Sequence, residues 1–214
     1  MLPENQEELL HRARYLAGLT VGELAARLMT PLPERPGSAK GFTGQLIEIA
    51  LGAGAGSHPL QDFPHLDIEL KTIPVGWNGK PRETTHVCIL HHAAGASFEN
   101  SNVYNKLRRV LWFPVEGEPG VPLRERHLGQ AFLWEPDPGE LRTLREDFDE
   151  IIALLNDRDE ADEESDFLIS ASIGTALHLR PSGSFQGKRV FSWYLRKDFT
   201  ARILENAALR DMPC

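Results

Sequence analysis

The 214-residue sequence predicts an α/β protein. Two kinds of hydrophobic periodicity carry this: apolar residues recur at helical spacing over 42–51 and 140–155, while 66–75 and 85–90 show strand patterning. A hydrophobic content of 41% at this length supports one large domain or two closely packed lobes.

The elements follow in order along the chain. Asn5-x-x-Glu8 and Thr20-x-x-Glu23 have the spacing of capping boxes, each opening a run of apolar positions, Leu9, Ala13 and Leu16 and then Leu24, Ala25 and Leu28. Gly18-Leu19-Thr20 makes a short turn between the two helices. A helix-turn-helix reader, and with it a non-enzymatic DNA-binding module, is the competing class here. The second helix offers a groove chiefly Glu23 and Arg27, so helix packing is the better reading. Pro31, Pro33, Pro36, Gly37 and Ser38 then form a loop before Lys40.

The helix over 42–51 places Leu46, Ile47, Ala50 and Leu51 on an apolar face and ends at Gly52. Glu48 lies within it. A carboxylate is seldom buried without a partner, so Glu48 reaches the helix edge or faces a polar site. The glycine-rich 52–57 segment follows a helix and lacks the Lys-Ser/Thr ending of a phosphate loop, so it reads as a connection.

In the strand predicted over 66–75, a period of two puts Glu69 and Lys71 on the same side. Pro74 limits that strand, a turn at 76–81 follows, and a strand over 85–90 is expected to return beside it as a hairpin. Asp62 precedes Phe63-Pro64 and is positioned to reach the same end of the sheet. Two close carboxylates repel each other unless a cation neutralises them, and Mg²⁺ takes oxygen ligands of this kind, often with phosphate. A neighbouring ammonium then orients a water or offsets developing charge, which suits phosphodiester hydrolysis. The competing reading of Asp62-x6-Glu69-x-Lys71 is a solvated Glu–Lys pair on an exposed strand face.

A formal net charge of −8 looks wrong for a DNA binder. The distribution matters more: positions 135–166 hold 14 acids and 3 arginines, leaving a net of +3 on the other 182 residues. The acidic stretch resolves into the helix over 140–155, with Leu141, Leu144, Phe148, Ile151, Ile152 and Leu155 near helical spacing, and a polar tract over 156–166 that reads as solvated surface. Cations suited to phosphate contact lie elsewhere, at Lys106, Arg108, Arg109, Arg124, Arg126, Arg180, Lys188, Arg189, Arg196 and Lys197. A last amphipathic helix over 200–209 turns Ile203, Leu204 and Ala207 inward.

Cys88 lies in an apolar strand and Cys214 is terminal, without a Cys-x-x-Cys pair, a usage that fits a reduced cytosol and offers no zinc site. His91-His92 has no partners at metal-ligand spacing. The sequence shows neither a signal peptide nor a long apolar span, so a cytoplasmic protein without membrane partners is expected.

Many ordered blocks carry a resemblance. Lys40-Gly41-Phe42, Leu46-Ile47-Glu48-Ile49, Gln61-Asp62-Phe63, Glu69-Leu70-Lys71-Thr72-Ile73-Pro74-Val75, Glu83-Thr84-Thr85, the stretch from Lys106-Leu107 through 109–117, and Tyr194-Leu195-Arg196-Lys197-Asp198-Phe199-Thr200 resemble the MutH family, the strand-incision endonucleases of methyl-directed DNA mismatch repair. The resemblance spans nearly the whole chain.

It implies a type II restriction-endonuclease-like fold: a central mixed sheet flanked by helices, with two lobes around a DNA-binding cleft. On that basis residues 1–214 form a single restriction-endonuclease-like domain, with a catalytic arm over about 1–105 and a DNA-recognition arm over about 106–214. It also implies Mg²⁺-dependent nicking of the unmethylated strand of hemimethylated GATC sites, 5′ to the G. By the same resemblance Asp62 and Glu69 bind the metal with the Leu70 carbonyl, Lys71 is the catalytic lysine, and Glu48 and Lys106 complete the active site. Lys40 and Gly41 belong to a DNA-contacting loop, Arg180 reads a base, and Tyr194 senses the methyl state. The implied partners are double-stranded DNA and the activator MutL, acting after MutS has found the mismatch. One active site fits a monomeric nickase, the enzymatic alternative being a restriction endonuclease that cuts GATC. The chain departs from the family's pattern at His86, where a phenylalanine is frequent, and at Ser182-Gly183, where a lysine commonly follows Arg180-Pro181.

Overall fold

Asn5 starts the first helix by accepting the Glu8 N–H at 2.9 Å, and Thr20 and Glu23 close a complete capping box at the second. The computed structural model describes residues 1–34, 41–53, 60–90, 97–156, 172–185 and 188–210. Lys40, His91, His92, Cys214, most of the 52–57 connection and the acidic tract from 157 onward lie outside the described residues. Helices α1 (Gln6–Arg14), α2 (Val21–Arg27), α3 (Phe42–Leu51), α4 (Asn102–Leu107), α5 (Pro138–Asn156) and α6 (Lys197–Arg210) alternate with strands β1 (Glu69–Val75), β2 (Thr85–Ile89), β3 (Val110–Glu116), β4 (Phe132–Trp134), β5 (Leu177–Phe185) and β6 (Lys188–Leu195). The fold is thus mixed α/β, as the two periodicities predict.

The described residues form two units, one from Met1–Glu83 with Arg109–Trp134, the other from Thr84–Arg108 with the chain after Trp134. In the first, the sheet runs in the order β1-β3-β4, with β1 parallel to β3 and β4 antiparallel to it. Helices α1, α2 and α3 supply the core with Leu9, Val21, Leu24, Leu46, Ile47 and Leu51, which meet Phe63, Ile68, Leu111 and Phe113. The buried stripe of α2 is therefore committed to packing and its Glu23 to the cap. Helix α3 ends on Gly52 in the left-handed region at φ 79°, as its position after the apolar run predicts.

Two strand expectations are corrected here. The strand begins at Glu69 and not at 66, because Pro64–Leu66 forms a 3₁₀ turn and Asp67 sits in the left-handed region at φ 58°. A tight turn does follow β1, with Val75 bridged to Pro81, but it does not extend into a hairpin. Strand β2 pairs with β6 in the second unit, while β1 takes β3 as its neighbour. Pro74 fits within β1 because that strand lies at the sheet edge.

The second unit holds the antiparallel sheet β2-β6-β5, with β6 in the middle. Leu177, Leu179, Trp193 and Leu195 are buried, and Phe148 of α5 stacks on Trp193 at 5.0 Å between ring centroids. Helix α5 starts earlier than its apolar pattern suggests, because Asp137 caps it by accepting from the Gly139 and Glu140 N–H groups while Glu140 accepts from Asp137 N–H. Helix α6 likewise starts before 200 and buries Phe199, Thr200 and Ile203.

Candidate active site

Asp62 and Glu69 are seven positions apart, and an extended chain would separate them by more than about 20 Å. A closed loop prevents this. Phe63 and Ile68 exchange backbone hydrogen bonds at 2.9 and 3.2 Å, and the 3₁₀ turn with left-handed Asp67 fills the space between them. The loop is tied down by Arg109, which donates to the Leu66 carbonyl at 3.2 Å and to Gln6 of α1. As a result Asp62 Oδ2 accepts the Leu70 N–H at 2.8 Å. Its carboxylate thus sits on the peptide that joins Glu69 to Leu70.

Glu69 and Lys71 lie on one side of β1, as the period of two predicts, with Lys71 Nζ 3.2 Å from Glu69 Oε1. They are not a solvated surface pair: Glu69 is 5% exposed and Lys71 7%. Burying two charges carries a desolvation penalty that an ion pair does not generally recover, so the arrangement is poorly explained by stability alone. The donor types suit a hard divalent cation: the Asp62 carboxylate is held on the Leu70 N–H, and the Glu69 carboxylate belongs to the residue just before it on β1. Among the described residues no group of three or more His, Cys, Asp or Glu side chains is arranged to hold a metal ion. Mg²⁺ tolerates such a sparse protein set because it keeps several waters and binds substrate phosphates.

Glu48 is half-buried on α3, and Gly41, exposed at φ 81°, accepts the Gln45 N–H at the start of that helix. Lys106 is half-buried in the last turn of α4 and belongs to the second unit. Lys40 is not among the described residues.

Arg180 and Tyr194 come together in the second unit. Tyr194 lies on the central strand β6, opposite His178 of β5 on one side and His86 of β2 on the other. Ring centroids are 6.1 Å apart for His178 and Tyr194 and 5.2 Å apart for His86 and Tyr194, both edge-on. The Arg180 guanidinium lies 5.7 Å from the centre of the tyrosine ring and donates to Thr84 Oγ1 at 2.9 Å. These residues occupy the sheet face opposite Leu179 and Trp193. The sequence reading singled out Arg180 and Tyr194 but not their joint face with His86, His178 and Thr84, since that requires the β2-β6-β5 pairing.

Asp147 was also missed. It is 5% exposed and accepts the N–H groups of Thr175, Ala176 and Leu177 at 2.6–3.0 Å, fixing the start of β5 one residue before His178. A signal was present: Asp147 falls on the apolar stripe of Leu144, Phe148 and Ile151. Some cations expected at phosphates serve the backbone instead: Arg109 as above, Arg126 through Nε to the Val121 carbonyl at 3.2 Å, and Arg196 to the Ile173 carbonyl at 2.7 Å.

Comparison with known proteins gives one consistent result. The family model described as DNA mismatch repair enzyme MutH matches residues 51–147. DNA mismatch repair protein MutH of Actinobacillus pleuropneumoniae serotype 5b (strain L20) is 44% identical over 223 residues, covering 94% of each chain. The protein of the same name from Shewanella baltica (strain OS185) is 44% identical over 218 residues, covering 94% of this chain and 95% of the relative. That from Haemophilus ducreyi (strain 35000HP / ATCC 700724) is 41% identical over 222 residues, covering 95% of each.

Proposed function

This chain belongs to the MutH family of DNA mismatch repair enzymes, and on that premise we propose that it nicks the unmethylated strand of hemimethylated GATC sites, 5′ to the G, by Mg²⁺-dependent phosphodiester hydrolysis. The observation that carries the reading is the Asp62 carboxylate held on the Leu70 N–H beside the buried Glu69–Lys71 pair. In this reading Asp62, Glu69 and the Leu70 carbonyl hold Mg²⁺. The bound cation supplies polarisation of a phosphoryl oxygen and a lowered pKa for a bound water.

The chain's own groups do the rest. Lys71, fixed by its ion pair with Glu69, orients the attacking water and offsets negative charge developing on the phosphate. Burial strengthens both effects, because the effective dielectric around the pair is lower than in water. Glu48 and Lys106 complete the site, and Lys40 and Gly41 contact DNA. Arg180 reads a base edge, and Tyr194, flanked by His86 and His178, reports the methyl state of the adenine. The fold is proposed to be restriction-endonuclease-like, with two lobes around the DNA. The protein is proposed to act as a cytoplasmic monomer, activated by MutL after MutS has found the mismatch. Among the described residues no helix is long and apolar enough to cross a membrane.

The test is strand-resolved nicking of unmethylated, hemimethylated and fully methylated GATC duplexes, each with Mg²⁺ or with EDTA. The reading expects Mg²⁺-dependent cleavage of the unmethylated strand and protection of the fully methylated duplex. Cutting that persists in EDTA would remove the metal chemistry, and equal cutting of all three duplexes would remove the methyl-directed role. Concerted cutting of both strands would favour the restriction-enzyme reading.

A further inference from the structure

The turn between Asp62 and Glu69 is held by hydrogen bonds more than by packing. Phe63 and Ile68 at its two ends are fully buried, whereas His65 and Asp67 near its crest are exposed. Asp67 is left-handed at φ 58°, a conformation that residues other than glycine adopt at some cost and keep when their surroundings impose it. Asp62 meets the Leu70 N–H because the turn folds back in this shape.

The groups that hold the turn come from two distant stretches of the same unit. Arg109 grips it twice: the guanidinium donates to the Leu66 carbonyl at 3.2 Å, and the Arg109 carbonyl accepts the Glu69 N–H at 3.0 Å. Gln6 orients the guanidinium in turn, its side-chain oxygen accepting from Nη2. One residue before Leu66, His65 donates from Nε2 to the Pro3 carbonyl at 2.7 Å. Residues 1–6 therefore act as a strap, whose other end is also fixed. Arg12 donates to the Met1 carbonyl at 2.6 Å and to the Leu51 carbonyl at 3.1 Å, and a Cβ on Gly52 would lie 2.3 Å from the Met1 carbonyl oxygen. The strap thus ties the turn to the end of α3, the helix that carries Glu48.

We propose that Arg109 and Gln6 are positioning residues for the divalent cation: by fixing the turn they set the placement of the Asp62 and Glu69 carboxylates, and with it the affinity for Mg²⁺. This rests on the reading of Asp62 and Glu69 as metal ligands. Mg²⁺ demands near-ideal octahedral geometry, so a site with few protein ligands holds it well only when those ligands are already in place. Groups that orient metal ligands from behind change metal affinity by about 10–100-fold when they are lost. Position and charge act in opposite directions here. A guanidinium repels a divalent cation, so if Arg109 acted through its charge, removing it would tighten binding; acting through position, its removal loosens binding. Gln6 carries no charge, and its loss reports position alone.

Mn²⁺, which takes the same oxygen ligands, is titrated into the full chain and the free ion is counted by electron paramagnetic resonance. Gln6→Leu, which removes the acceptor for Arg109, and Arg109→Gln are each expected to weaken Mn²⁺ binding by about tenfold or more. Gln6→Glu keeps an acceptor and is expected to stay within about twofold of the unchanged protein. In DNA nicking, Gln6→Leu should raise the half-saturating Mg²⁺ concentration by about tenfold while the rate at saturating Mg²⁺ stays within about twofold. Should Arg109→Gln fail to fold, Gln6→Leu decides the case. Mn²⁺ affinity that is unchanged in Gln6→Leu, even with a lowered melting temperature, overturns the proposal, as does tighter binding by Arg109→Gln; both leave the metal reading standing. Mn²⁺ binding unchanged in Asp62→Ala overturns that reading itself, and the proposal with it.

Discussion

The acid–lysine segment of the first unit and the tyrosine-centred face of the second are assembled by different means. Asp62, Glu69, Leu70 and Lys71 lie within one short stretch, and their geometry follows from a closed loop and the pleat of a single strand. His86, His178, Arg180 and Tyr194 come from three strands and meet only because β6 pairs with β2 on one side and β5 on the other. The first arrangement is local in sequence, supported from outside by the pairing of β1 with β3 and by Arg109. The second depends on long-range pairing and on Asp147 holding the start of β5. Under the proposed function the compact segment performs the chemistry and the assembled face performs the reading. Substitutions in the two regions should then fail in different ways.

The largest expected effect is on chemistry. Asp62→Ala removes a proposed metal ligand and the acceptor for the Leu70 N–H, and its Mg²⁺-dependent nicking rate should fall on the order of 10³-fold. DNA affinity measured by fluorescence anisotropy should stay close to that of the unchanged protein. A parallel loss of affinity would break the separation between the regions.

Next comes the support of the assembled face. Asp147→Ala leaves the buried N–H groups of Ala176 and Leu177, and the part-buried one of Thr175, without their acceptor, and urea denaturation should show a loss on the order of 3 kcal/mol. Sequence-specific DNA binding should weaken with it. If stability and binding are both unchanged, Asp147 does not position β5.

Arg180→Ala should cost about 1–3 kcal/mol of discrimination between GATC and a site with one changed base pair. Competition binding measures this directly. An equal loss at both sites would make Arg180 a phosphate contact that carries no sequence information.

The smallest effect is a pH dependence within the first unit. Trp77 and His127 hold the Glu116 carboxyl below its usual range, so its folded pKa is depressed. Its contribution to stability is fully present above the ordinary glutamate value of about 4.3, and is lost as the pH falls through the lower folded value. Glu116→Gln should therefore melt below the unchanged protein at neutral pH, with the gap closing on acidification. A gap that widens toward low pH would contradict that sign.

The contrast also explains what could be read from the sequence. Asn5, Thr20 and Gly52 act within a few residues of themselves, so α1, α2 and the end of α3 were legible from caps and periodicity. The shared side of Glu69 and Lys71 followed from the strand period for the same reason. The 3₁₀ turn at Pro64–Leu66 was hidden because Leu66 and Ile68 continue an alternating pattern that the left-handed Asp67 interrupts. The partner of β2 was misjudged since a plausible turn at 76–81 does form, and nothing local states that the chain then pairs with β6, more than a hundred residues later. Arg180 and Tyr194 were identified by resemblance, whereas their contact and the part played by Asp147 depend on tertiary pairing.

The most direct measurement is single-turnover, strand-resolved nicking of a hemimethylated GATC duplex by Lys71→Ala in Mg²⁺, at protein concentrations that saturate the DNA. The account predicts binding within about twofold of the unchanged protein and a nicking rate lower on the order of 10³-fold, because only charge stabilisation and water orientation are lost. Nicking of the unmethylated strand within about tenfold of the unchanged rate would contradict the assignment of Lys71, and with it the reading of the buried Glu69–Lys71 pair as a catalytic arrangement.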